Sequence, residues 1–156
     1  MTHSASETAL TQLILHKLDE LVTLVSSCND NEANTELNHA GSNTLIQLLA
    51  HCCGMMRRWS SSVNLGIEVP RDREQEFRTA MSVQESVELA GRTRTAFVAD
   101  VAATEMQMSP ALIPTGREHF WTVTCEGVLL HVLEELSQHL GQAQITRDVL
   151  AGDDTR

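Results

Sequence analysis

A chain of 156 residues with 42% hydrophobic content can bury a core without disulfide or metal staples. Its formal charge of −10, with eleven Lys and Arg and no basic stripe, argues against nucleic acid as a partner. Two Trp, three Phe and no Tyr leave the core to Leu, Val, Ala, Met and Ile, a composition that favours helices over a β-sandwich.

The cysteines Cys28, Cys52, Cys53 and Cys125 form no C-x-x-C pair, and adjacent Cys52 and Cys53 make a poor disulfide. The start Met1-Thr2-His3-Ser4 lacks a basic region followed by an apolar run, and no apolar stretch reaches bilayer-spanning length. The expectation is a cytoplasmic protein with reduced thiols, folded as one domain over residues 1–156.

Four segments carry helical periodicity. The first runs from about Ser6 to Ser27 on a stripe of Leu10, Leu13, Ile14, Leu18, Leu21, Val22 and Val25. The run Asn29-Asp30-Asn31 breaks it. The second starts at Ser42 or Asn43, either a good N-cap, on Leu45, Leu48, Leu49, Cys52, Met55, Met56 and Trp59. Ser60-Ser61-Ser62, Gly66 and Pro70 end it and open a long charged loop. The third starts near Ser82, with Glu85 completing a capping-box pattern, on Val83, Val87, Ala90, Phe97, Val98 and Val101. Pro110, Pro114 and Gly116 mark the next loop. The fourth begins at Thr122 or Thr124 and runs to about Ala151, with Gly152 placed to close it and Val128, Val132, Leu136, Leu140 and Ala143 on one face. The expected fold is an all-α four-helix bundle. Its connections are long enough for crossovers, so a simple up-down-up-down order is not required.

The fourth segment also carries a polar row. His131, Glu135, His139 and Gln142 recur at steps of four and three, which aligns them along the edge of the apolar face, while Glu134 points away. A carboxylate and an imidazole four residues apart can grip one ion from the same side. His51, at the margin of the second stripe, is the candidate for a third ligand from another helix. Two His and one carboxylate leave coordination positions open, the pattern of a catalytic rather than a closed site. The alternative is a surface ion pair. For His131 three readings stand: an extra ligand, a group that orients a ligand, or a satisfied core histidine.

The segment from Asn43 to His51, followed by Arg57-Arg58-Trp59, resembles the second helix of DinB-like (DinB/YfiT) proteins. The pattern His131-x-x-x-Glu135-x-x-x-His139-x-Gly141, followed by Arg147, resembles their fourth. The nearest branch is that of mycothiol-dependent maleylpyruvate isomerase and related thiol S-transferases. The resemblance implies a divalent metal held by His51, Glu135 and His139, with zinc favoured and nickel or iron compatible. It also implies a low-molecular-weight thiol cosubstrate, mycothiol or bacillithiol, activated for attack on an electrophile in detoxification or stress response. Many relatives read His-x-Gly-His-x-Asp where this chain has Gln142 and Gln144, which removes a general base there. The isomerase resembles a longer, two-domain protein, so its isomerase activity is not expected of this chain.

Arg94, His131 and Gln142 are candidates to contact a ligand near the metal. Arg94 falls near the centre of the third stripe, where an inward Arg needs a partner. Glu135, a substrate oxygen or the end of the bundle could each serve it. Trp59 and Arg58 are placed to line the mouth of the site, although Trp59 also suits the core. Arg147 suits either a family role or a surface position. Cys52 and Cys53 adjoin His51, but successive helical residues point about 100° apart, so neither should converge on the same ion as His51, and both read as core. Three functional readings follow: a metal-dependent thiol transferase, a metal-binding stress protein without turnover, and a structural bundle or homodimer seam whose polar row is a hydrogen-bond network.

Overall fold

The computed structural model describes residues 8–153. The helices in chain order are α1 (Ala9–Ser26), α2 (Asp30–Ala33), α3 (Leu45–Arg57), α4 (Arg73–Glu76), α5 (Val83–Ala103) and α6 (Cys125–Asp153). A π-helical segment, Arg58–Asn64, continues α3, and a 3₁₀ turn, Phe120–Val123, precedes α6. No strand occurs among the described residues. None of these helices is long and apolar enough to cross a membrane.

Four long helices form the bundle. In cross-section they follow the order α1, α6, α3, α5, with α1 also touching α3 across the diagonal. Helices consecutive along the chain therefore do not all sit side by side, and the long connections make the crossovers.

The caps set the ends. Thr8 accepts from Thr11 N and opens α1, so a start at Ser6 lies outside the described residues. Thr44, rather than Ser42 or Asn43, caps α3 in a reciprocal box with Gln47. The Ser82–Glu85 box opens α5 as its spacing predicts. The Asn29-Asp30-Asn31 run does end α1, but Asn29 at once caps the short α2. Asp30 Oδ1 then accepts from Val83 N at 2.8 Å, and Asn34 Nδ2 donates to Met81 O at 2.9 Å, tying this loop to the start of α5. Thr124 Oγ1 accepts from Gly127 N at the start of α6, and Gly152 lies within that helix rather than past its end.

The core forms as the stripes require, with three informative shifts. On α1 the buried set is Thr11, Ile14, Leu18, Leu21 and Val25, which leaves Leu13 exposed on the flank. α3 is buried on every side from Leu45 to Cys53, the mark of a helix packed all round. On α5 the inward face carries Ser86, Thr93 and Asp100 at heptad spacing beside Ala90, Phe97 and Val101. Those polar residues turn the helix so that Thr93, not Arg94, takes the central position.

The three serines do not stop the α3 rod. Ser60 and Ser61 donate to Asp100 Oδ2 at 2.6 and 2.8 Å, and Arg57 Nη1 donates to the same oxygen at 2.6 Å. Ser62 Oγ accepts from Val69 N. The hydroxyls have inward partners, so the segment stays packed and widens into a π-turn instead of fraying into loop. Asp100→Ala should therefore lower stability by about 2–4 kcal/mol, since it strands Arg57 and two buried hydroxyls. Urea unfolding followed by far-ultraviolet circular dichroism measures it.

Candidate metal centre

His51 projects from the middle of α3, and Glu135 and His139 from successive turns of α6. One ligand atom from each lies within 4.8 Å of the other two, and this is the one such His/Cys/Asp/Glu group among the described residues. The His51 and His139 rings meet edge to face, with centroids 4.7 Å apart. Two imidazoles and a carboxylate facing one point suit zinc, nickel or iron and leave positions open for a further ligand.

The groups behind the ligands decide how they face. His51 is 4% exposed and lies under the connection that follows the π-segment. Its Nδ1 is 3.1 Å from Glu76 Oε1. A carboxylate only accepts, so in this contact Nδ1 donates, with Arg71 Nη2 3.5 Å from the same nitrogen. Arg71 grips Glu76 through two bonds of 2.8 Å, Nε to Oε2 and Nη2 to Oε1. Phe77 stacks on the opposite flank of the ring at 4.6 Å. Burial pushes the Glu76 carboxyl upward, but the bonds and charges of Arg71 and His51 outweigh it and hold the group below its usual value.

Gly54, one turn beyond His51, makes room for this strap. A Cβ there would clash with the Glu76 carboxylate and touch Arg71 Nε. His139 has an analogous partner: its Nδ1 lies 3.3 Å from Gln142 Oε1, which leaves Nε2 free to bind. Burial, and the repulsion that a second imidazolium beside His51 would meet, lower the His139 pKa and favour the neutral ring.

His131 lies behind Glu135 and outside the three-residue group. Its Nε2 is 2.9 Å from Glu135 Oε1, though the N–H direction misses a well-aligned bond, and its Nδ1 is 3.2 Å from Glu134 Oε2. A carboxylate at each nitrogen favours the imidazolium, so the ring serves as a partner of Glu135. Burial opposes that charge, but the two glutamates prevail and raise the His131 pKa. Glu135 is lowered in turn, because His131, His51 and His139 outweigh its desolvation. Trp121 stacks on His131 at 3.8 Å, His119 stacks on Trp121, and Trp59 meets both Trp121 and His131 edge-on.

Arg94 does not join the site. It reaches Asp19 of α1 at 2.9 Å, because the buried polar face of α5 rotates it to the flank. Gln144 and Arg147 are exposed on α6, and Arg147 lies beside Ser27 and Cys28, away from the histidines. Cys52 and Cys53 are buried. Burial raises the Cys52 thiol well above its usual value and lifts Cys53 to about 11, so neither offers a thiolate. All four cysteines are free. Trp59 is both core, at 4% exposed, and cavity wall.

The three ligand candidates open into a cavity of about 590 Å³. Arg58, Arg71, Arg73 and Arg117 line it, with Trp59 and Glu68. The sequence reading found Arg58 and Trp59 but missed Glu76, Arg71, Phe77, Arg73 and Arg117. The one local signal was Gly54, a lone glycine inside an apolar helix, which marks close approach by another segment.

The fold and site together define an all-α bundle in which two histidines and a carboxylate that could hold a divalent metal converge beside an open cavity. The chain belongs to the mycothiol-S-transferase family, whose pattern it matches over residues 9–152. No curated protein matches it.

Two outcomes test this geometry. Glu76→Ala, and independently Gly54→Ala, should weaken zinc binding about 10- to 100-fold in competition titrations with a chromophoric chelator, because the first removes the acceptor that orients His51 and the second pushes it away. The second outcome concerns the metal-free protein. The depressed Glu135 contributes stability that is complete above the ordinary Glu value of about 4.3 and lost as pH falls through its lowered pKa. The raised His131 contributes stability that is complete below about 6.5 and lost as pH rises through its raised pKa. The difference in melting temperature between the parent and His131→Gln should therefore peak between about pH 4.3 and 6.5 and shrink on both sides.

Proposed function

We propose that the protein is a divalent-metal-dependent S-transferase that joins a mycothiol-type thiol to an electrophile, with His51, Glu135 and His139 as the metal ligands. The observation that carries this reading is the convergence of those three side chains at the floor of an open cavity in a chain of this family. A metal held there supplies a Lewis acid that lowers the pKa of a thiol from about 8.5 toward the thiolate at neutral pH. Zinc suits the donor set best.

The protein's own residues do the rest. Glu76 and Gln142 keep Nε2 of each histidine turned inward. His131 holds Glu135 ionised against its burial. The strap from Val69 to Phe77 covers one side of His51 and limits its contact with water. In the transfer the thiol sulfur forms a bond to carbon, the leaving group departs with its electron pair, and the thiol proton passes to water at the cavity mouth. Neither Gln142 nor Gln144 can take that proton, so no carboxylate base is assigned at those positions. The alternative, a metal-binding stress protein without turnover, has the same ligand set and differs only in lacking transfer.

Elemental mass spectrometry on the untagged protein should find about one equivalent of metal after loading with zinc, lost in His51→Ala and in His139→Ala. The loaded parent should then speed thioether formation between mycothiol and monobromobimane, with bromide released, while both variants fall to the uncatalysed rate. Metal without transfer would favour the stress-protein reading. Absence of metal would leave the polar row a structural network.

A further inference from the structure

The cavity beside the ligands runs against the charge of the whole chain. The protein carries −10, yet four of its eleven Lys and Arg side chains, Arg58, Arg71, Arg73 and Arg117, line this one space. Arg71 is spent on Glu76. The other three make no hydrogen bond or ion pair to a carboxylate among the described residues, whereas Arg57, Arg78 and Arg94 each pair with one. Exposed Arg73 and Arg117 are not left to wander. The Arg73 guanidinium lies over Phe77 at 5.4 Å from the ring centroid, and that of Arg117 over Trp59 at 5.9 Å. Stacking fixes the plane of a guanidinium while leaving its N–H fork open to a ligand.

Two carboxylates share the cavity wall. Glu135 is occupied by His131 and faces the metal ligands, and Glu68 is exposed. Neither pairs with the three arginines. Two stacked guanidinium groups and the half-buried Arg58 beside them, none paired with a carboxylate among the described residues, attract and orient a small anion in this cavity of an otherwise acidic protein.

We infer that Arg58, Arg73 and Arg117 bind the oxyanion group, carboxylate or phosphate, of the electrophile that accepts the thiol. The assignment of that oxyanion to the electrophile rests on the S-transferase reading above; the anion site itself does not. Its role is positional: the arginines hold the charged end of the substrate so that its reactive carbon faces the sulfur at the histidine floor. With a halo-acid, sulfur bonds to the carbon, the carbon–halogen bond breaks, halide leaves with the electron pair, and the thiol proton goes to water.

The test has two arms. In metal-free protein, the Trp fluorescence is titrated with succinate, inorganic phosphate and neutral succinamide; Trp59 lies in the cavity wall. Saturable binding of succinate or phosphate is expected, weakened by added salt, with none for succinamide. Each of Arg58→Gln, Arg73→Gln and Arg117→Gln should weaken it by about tenfold, the size of one lost charge-assisted hydrogen bond. Arg92→Gln, an exposed arginine outside the cavity, should leave it unchanged. The stronger of the two anions identifies the oxyanion. Equal binding of succinate and succinamide, or equal loss in Arg92→Gln, overturns the site. In zinc-loaded protein with mycothiol, the rate ratio of bromoacetate to bromoacetamide should exceed that of the free thiol by about tenfold and fall back in the three variants. An unchanged ratio with transfer intact overturns the electrophile assignment alone. No transfer with either reagent overturns the S-transferase reading and leaves the fluorescence arm to decide the anion site.

Discussion

His51 sits at the midpoint of a helix buried on every side. An imidazole nitrogen taken out of water there costs free energy unless it finds a partner. The partner comes from outside the bundle, from Glu76 on the connection between α3 and α5. Much follows from that one contact. Gly54 must lack a side chain so that the carboxylate can approach. Arg71 must hold the carboxylate, and Phe77 must close over the ring. The connection thereby becomes a strap, and its far side becomes the wall of the cavity.

A second polar knot fixes the other end of the same rod. Asp100 gathers Arg57, Ser60 and Ser61 onto a single oxygen, and this holds the π-segment against α5. Because the segment stays helical, Trp59 is presented on the α6 side, where it meets Trp121 and His131. The connection before α6 is tied down there as well, with Leu112 N bonding Val63 O and Ala111 N bonding Asn64 O. Pro114 and Arg117 then fall at the cavity mouth. The basic lining of an acidic protein is thus assembled from two connections and one helix end, each secured by contacts that have no counterpart in the bundle interior.

The sequence was readable wherever one helix carried the whole message. The phases of α1, α3 and α6, the Ser82–Glu85 cap and the Glu135–His139 row all depend on spacings of three and four, and these survive folding unchanged. His51 was reachable because it interrupts an apolar run. The phase of α5 was not, because the apolar count favoured a face centred near Arg94, while the buried Thr93 and Asp100 have bonding partners that only the tertiary structure supplies and Ser86 is satisfied by Val83 O of its own helix. The serine triplet misled for the same reason: hydroxyls signal a helix end only when nothing inside receives them. Glu76 was invisible because its link to His51 spans a loop, and no periodicity connects positions across a loop.

α6 runs unbroken from Cys125 to Asp153, and it carries both Glu135 and His139. In the proposed site the distance between those two donors is therefore set by one turn of a rigid rod. Only His51 can move relative to them, and it moves with the spacing between α3 and α6. The packed Leu and Met side chains between these helices act as a calliper on whatever ion is held. A change of one methylene in that layer, far from any polar atom, would alter the spacing of His51 from the pair on α6, so the fit of an ion depends on the hydrocarbon interior as well as on the donors themselves.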